Sequence, residues 1–164
     1  MLTHPIPSIY DENSKILILG SFPSVKSREE EFFYGHRQNR FWRVISTVLG
    51  APLPITNEEK CKLLLSNNIA LWDVVGSCDI RGSSDSSIKN ATPNPLPVLI
   101  SKTKIEKIYL NGKTAEKYFR AFFGDTLGIE AVTLPSTSPA NAKMSPEKLI
   151  REWSVVVESL FSSS

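Results

Sequence analysis

Three short polar segments of this 164-residue chain hold the side chains best suited to chemistry. The first is Gly20-Ser21-Phe22-Pro23-Ser24, where the apolar run Ile16-Leu17-Ile18-Leu19 stops. The second, Gly35-His36-Arg37-Gln38-Asn39-Arg40-Phe41-Trp42, mixes amides, cations and aromatic rings. The third follows Ala131-Val132-Thr133-Leu134 and runs Pro135-Ser136-Thr137-Ser138-Pro139-Ala140-Asn141-Ala142-Lys143. Gly20 lets the backbone leave a strand sharply and Pro23 fixes the exit, which presents Ser21 and Phe22 at the strand end. Phe22 offers a plate on which a flat base can stack, although a core ring would look the same in sequence. The Asn39 amide donates and accepts, so it can cap a helix starting there or bind a water and a base edge together. The third segment is built of small residues whose hydroxyls and N–H groups suit a phosphate backbone, with Lys143 and Lys148 adding charge. Together they point to chemistry on a flat, polar ligand attached to phosphates.

Those segments need elements to position them. Strands are predicted over residues 15–20, 69–75, 105–111 and 130–134, and helices over about 39–49, 57–67, 94–101, 113–123 and 146–161. The first and third strands are nearly continuous apolar runs, the pattern of strands buried on both faces. Thr56 with Glu59 forms a capping box, Ser145 precedes a proline at a first helical position, and Gly112 and Gly124 bracket the helix starting at Lys113. Alternating strands and helices favour a parallel sheet covered by helices. In such sheets ligands bind outside the carboxyl ends of the strands, which makes the first and third segments opposite lips of one cleft. The stretch from Gly76 to Asn94 reads as a long irregular loop bordering that cleft. One domain spanning residues 1–164 is expected, with Ser162-Ser163-Ser164 as a frayed tail.

Composition narrows the classes. The net charge is only +2, but Lys26, Arg28, Arg37, Arg40 and Arg43 give a local basic excess beside the first turn. The two cysteines, Cys61 and Cys78, make neither a CxxC motif nor a disulfide framework, so the chain reads as intracellular, in the cytoplasm. No signal peptide and no membrane-spanning run is evident. With histidines only at positions 4 and 36, no zinc constellation is seen, and neither metal nor cofactor is expected. A serine hydrolase is disfavoured, because G-x-S-x-G is absent and neither histidine has an evident acidic partner.

Taken in order, GSFPS, GHRQNRFW and LPSTSPANA resemble the uracil-DNA glycosylase superfamily over essentially the whole chain, closest to the family 6 hypoxanthine (deoxyinosine) DNA glycosylases. The NRFW run also looks like the mismatch-specific thymine/uracil branch. The resemblance implies a three-layer α/β/α sandwich with a central, mostly parallel four-stranded sheet. It implies a monofunctional glycosylase, a monomer, that flips a deaminated base out of DNA and hydrolyses its N-glycosidic bond. Many superfamily members carry Asp or Asn in the first motif and His before the Pro-Ser of the last; here those positions are Phe22 and Leu134. The resemblance moves the catalytic amide to Asn39, which would position water or bond the leaving base. Base binding falls to Gly20, Ser21, Phe22 and Pro23, and DNA binding to Ser136, Thr137, Ser138, Asn141 and Lys143. Asn141, Lys143 or Met144 would be the wedge. Lys113 reads as a first-turn helical residue, so strand cleavage is not expected. Two other readings are the same fold acting on G:U mispairs and a catalytically silent α/β domain that binds damaged DNA or a nucleotide.

Overall fold

The computed structural model describes residues 1–161, so the expected tail at Ser162–Ser164 lies outside the described residues. Four parallel strands, β2 (Ile16–Gly20), β3 (Ile69–Asp73), β6 (Lys107–Asn111) and β7 (Ala131–Leu134), form the main sheet in the order β3-β2-β6-β7. The chain enters at β2, leaves for the β3 edge, then crosses to the other side of β2. The sheet therefore has a topological switch point between β2 and β6, with a crevice at the carboxyl ends.

Side chains alternate across this sheet and feed two cores. Ile16, Ile18, Ile69, Leu71 and Tyr109 face α2 (Phe41–Val48), α3 (Asn57–Ser66), α6 (Pro146–Trp153) and α7 (Val155–Phe161). Leu17, Leu19, Ala70, Ile108 and Leu110 face α4 (Leu96–Ser101) and α5 (Lys113–Phe122). This is the expected three-layer α/β/α sandwich. The Thr56–Glu59 capping box and the Ser145 cap are both present. Phe41 and Trp42 are buried on one side of α2, as their position in an amphipathic helix requires. Among the described residues no helix is long and apolar enough to cross a membrane.

Three local expectations need correction. The stretch from Gly76 to Asn94 is not one irregular loop. Its ends are β4 (Val75–Asp79) and β5 (Lys89–Pro93), an antiparallel ribbon that β1 (Leu2–Thr3) joins as a third strand in the order β1-β4-β5. Only residues 80–88 remain a loop, with a 3-10 turn at Asp85–Ser87. A short helix, α1 (Val25–Glu30), follows the first turn, capped by Ser24 through the Ser27 N–H. The helix expected over 146–161 is two helices meeting at Ser154.

Candidate active site

All four strands of the main sheet contribute to one cavity of about 310 Å³ at their carboxyl ends. β2 delivers Gly20 to Ser24, β3 ends in Asp73, β6 ends in Asn111, and the turn after β7 brings Ser136 to Ala140. Tyr34, His36 and Asn39 close one side, and Ser83 and Asp85 of the 80–88 loop close another. The first, second and third polar segments of the sequence thus meet in space.

Asn39 lies two residues before α2 rather than within it, and Arg40 occupies the cap position. Its Oδ1 accepts the Phe41 N–H at 2.9 Å and the Thr137 hydroxyl at 3.0 Å. A backbone N–H can only donate, so this contact fixes which end of the amide is oxygen. Both oxygen acceptor directions are used. The Nδ2 group has no partner among the described residues, and Asn39 therefore presents donors to the cavity it lines.

Thr137 is fully buried. Besides Asn39, it bonds Asn111, whose Nδ2 donates to the Thr137 hydroxyl at 3.1 Å and whose Oδ1 accepts the Thr137 N–H at 3.0 Å. Thr137 was expected to contact DNA, but its hydroxyl is committed to the frame that holds Asn39. Asn111 also donates to the Tyr34 hydroxyl at 3.1 Å. Burial, reinforced by the charge of Asp73, holds the Tyr34 hydroxyl far above its ordinary titration range, so it stays protonated.

The 136–144 turn is held from below by Arg40. Its guanidinium donates to the carbonyls of Thr137, Ser138 and Asn141 at 3.4, 2.8 and 3.0 Å, and to that of Met144. Arg40 is thereby an internal clamp rather than a free surface cation. Asn141 turns its amide back to the Ser136 carbonyl at 3.0 Å, and Met144 packs against the core. Of the three wedge candidates, Lys143 alone is exposed. Ser136 and Ser138 accept backbone N–H groups of the same turn through their hydroxyls, which stiffens it.

In the first turn, Phe22 belongs to both core and cavity. It is 7% exposed, packs on Val75, Cys78 and Ile88, meets the His4 ring edge-on at 5.8 Å, and still lines the pocket. Arg28 lies over the same ring at 5.8 Å and bonds the carbonyls of Pro23 and Gly82, another basic residue turned to internal use. Pro23 is buried, and Ser21 donates from its hydroxyl to Asp85 Oδ1 at 3.1 Å. The Asp85 carboxyl is held above its ordinary range, first by desolvation at the cavity mouth and further by the charge of Asp73, against the Ser21 and Thr114 hydroxyls. Leu134, where many superfamily members carry His, is buried in the core.

Two carboxylates were not singled out from sequence. Asp85 sits in a serine-rich stretch that reads as surface loop. Asp73 lies two residues before the end of the strand predicted over 69–75, whose carboxyl end pointed at the cleft, and the structure ends β3 at Asp73 itself. His4 does have an acidic partner: its Nε2 lies 2.8 Å from Asp73 Oδ2. The Ile6 N–H donates to His4 Nδ1 at 3.2 Å, so that nitrogen carries no proton and Nε2–H is the donor toward Asp73.

The family model of the uracil DNA glycosylase superfamily matches residues 7–157. A hypoxanthine DNA glycosylase of Methanosarcina acetivorans is 37% identical over 158 residues, covering 95% of this chain and 98% of that protein. A hypoxanthine DNA glycosylase of Methanosarcina barkeri is 35% identical over 142 residues, covering 84% and 87%. A solution NMR structure from Methanosarcina acetivorans, described as a candidate uracil DNA glycosylase, superposes with a TM-score of 0.83 at 36% identity, covering 98% of this chain and 99% of that one.

Proposed function

The chain belongs to the uracil DNA glycosylase superfamily, and from that premise we infer that it is a DNA repair glycosylase hydrolysing the N-glycosyl bond of a deaminated base, foremost hypoxanthine. Its substrate is DNA. The target base leaves the stack at a cost of a few kcal/mol, lowest where it is mispaired, and enters the cavity at the strand ends. Phe22 stacks on it and Ser21 with the backbone of Gly20 and Pro23 reads its edge. Asn39 donates from Nδ2 to an acceptor on the base, and that bond strengthens as the departing base gathers negative charge. Lys143 and the hydroxyls of Ser136 and Ser138, which accept N–H groups within the turn and keep their own protons to donate, take the phosphates. In this reading residues 1–164 act as one domain, as a monomer, in the cytoplasm.

The observation that carries this reading is the orientation of the Asn39 amide: oxygen tied to Phe41 and Thr137, donors left for the ligand. The same donor end would serve an oxygen of uracil, so a uracil-excising enzyme is the second reading. Single-turnover excision on matched duplexes holding inosine, uracil or xanthine separates the two. Asn39→Ala should slow excision of the preferred base at least about tenfold with little change in DNA affinity, because its bond grows in the transition state. Excision at the parental rate would reduce Asn39 to a turn-forming residue. Specific binding with no base released would make the protein a damage-recognition domain.

A further inference from the structure

We propose that Asp73 is the catalytic acceptor of the proton lost by the attacking water, and that His4 is the residue that positions it. The inference rests on the glycosylase reading. Hydrolysis needs one group to bond the departing base and another to accept from water. Asn39 cannot be the second. Its oxygen is occupied twice, and the group it has left only donates.

Asp73 and Asp85 are the two carboxylates lining the cavity, and their settings differ. Asp85 stands on the 80–88 loop, with one carboxylate oxygen already accepting from Ser21. Asp73 closes β3, where the parallel ladder pairs it with Gly20 of β2 and where the Val74 N–H bonds the Gly20 carbonyl at 2.8 Å. Its backbone carbonyl accepts from the buried Asn94 amide at 2.9 Å. It is only 4% exposed, and His4 is its sole partner within ion-pair distance among the described residues. A buried carboxylate without a cation is costly, and such groups persist mainly where chemistry uses them.

Geometry leaves Asp73 Oδ1 for that use. The His4 Nε2–H holds Oδ2, whereas Oδ1 makes no hydrogen bond among the described residues. A Cβ on Gly20 would lie 2.5 Å from Oδ1 and 3.0 Å from the Tyr34 hydroxyl, so only glycine lets both groups crowd the strand end. His4 is itself fixed, by its N–H to the Gly76 carbonyl at 2.8 Å and by edge contacts to Phe22 and Trp72. The groups facing Asp73 are thus His4 just after β1, Tyr34 after α1, and Asp85 from the loop.

In the step itself, the water oxygen bonds the anomeric carbon as the carbon–nitrogen bond to the base breaks. The electron pair of that bond leaves with the base. Asp73 takes one proton from the water and releases it to solvent, and the base gains a proton from solvent.

The test uses the full chain on an inosine duplex, with a duplex carrying the uncleavable 2′-fluoro-deoxyinosine to measure affinity. Asp73→Asn and Asp73→Ala should each slow single-turnover excision roughly 100-fold or more, the usual contribution of a general base, with affinity held within about threefold. Added formate should restore part of the rate to the alanine variant and none to the asparagine variant. His4→Phe should lower the rate without affecting affinity, and His4→Gln, which returns an N–H donor, should recover part of it. Asp73→Asn excising within about threefold of the parent overturns the proposal. So does a rate loss matched by the affinity loss with no formate rescue, which marks a structural residue. If the parent releases no deaminated base from any duplex, the glycosylase reading fails and takes this inference with it.

Discussion

Replacing Arg40 with lysine keeps the charge and removes the planar fork. The guanidinium satisfies four backbone carbonyls of the 137–144 turn at once. A lysine ammonium has three donors on one atom and cannot spread them over carbonyls held by different parts of a turn. Two of the four bonds are the most it is expected to keep. Hydrogen bonds from a charged donor contribute about 1.5–3 kcal/mol each, and partly solvated carbonyls regain water when released, so the loss is about 2–3 kcal/mol. For a chain of this size that corresponds to a melting temperature lower by about 5–10 °C. Thr137 also hydrogen-bonds Asn39, so loosening the turn loosens the Asn39 amide. Excision by Arg40→Lys should therefore fall even at temperatures where the protein is fully folded. Thermal melting by circular dichroism and single-turnover excision at 20 °C below the variant's midpoint are the two measurements. A melting temperature within about 1 °C of the parent, with unchanged excision, would show that the turn holds its shape without the fork.

Two further outcomes follow from other parts of the cavity rim. Lys143→Ala should weaken binding to all DNA sequences alike and reduce the salt slope of log K by about one unit, as loss of one phosphate contact does; an unchanged slope places Lys143 off the DNA. The raised pKa of Asp85 means that the fold disfavours its ionised form, so the stability it contributes is present below its ordinary value of 3.8 and lost as pH rises through the folded value. Asp85→Asn should accordingly melt higher than the parent near pH 7, with the difference gone near pH 3; a pH-independent difference would mean that the carboxyl is not perturbed.

The main sheet was legible because its central strands are apolar on both faces. Ile16 to Leu19 and Ile108 to Leu110 feed opposite cores, and that double burial shows as an unbroken run. The small antiparallel sheet was not legible. β5 reads KNATP and is mostly exposed, so its pairing with β4 leaves no alternating apolar trace. α1 reads VKSREE, with Ser27 its one buried residue, too little for a periodic signal. At the site, the turns around Gly20, Asn39 and Ser136 stood out because two of them follow predicted strands and the three together, in order, match a family pattern, although each alone has an ordinary structural reading. His4 and Asp73 did not, since an acceptor made by two residues far apart in sequence exists only after β1 and β3 are placed. Arg28 and Arg40 looked like surface charge because composition cannot tell a cation in solvent from one spent on carbonyls.

The cavity walls differ in what holds them, and this decides how a nucleotide gets in. The Gly20–Asp73 wall is part of a hydrogen-bonded ladder, and the Ser136–Ala140 wall is tied to Arg40 through several carbonyls at once. Neither can yield without breaking many contacts together. Beyond Ile88, which is buried against Phe22, Val75 and Cys78, the 80–88 wall is joined to its surroundings by solvent-facing single bonds such as Ser83 to the Val25 N–H at 2.9 Å, Ser21 to Asp85 at 3.1 Å, and Arg28 to the Gly82 carbonyl. Water can replace each of these in turn at little net cost. Of the three walls, the 80–88 segment is therefore the one whose displacement would cost the fewest bonds, while the two that align the reacting groups are each held by a cooperative set of contacts.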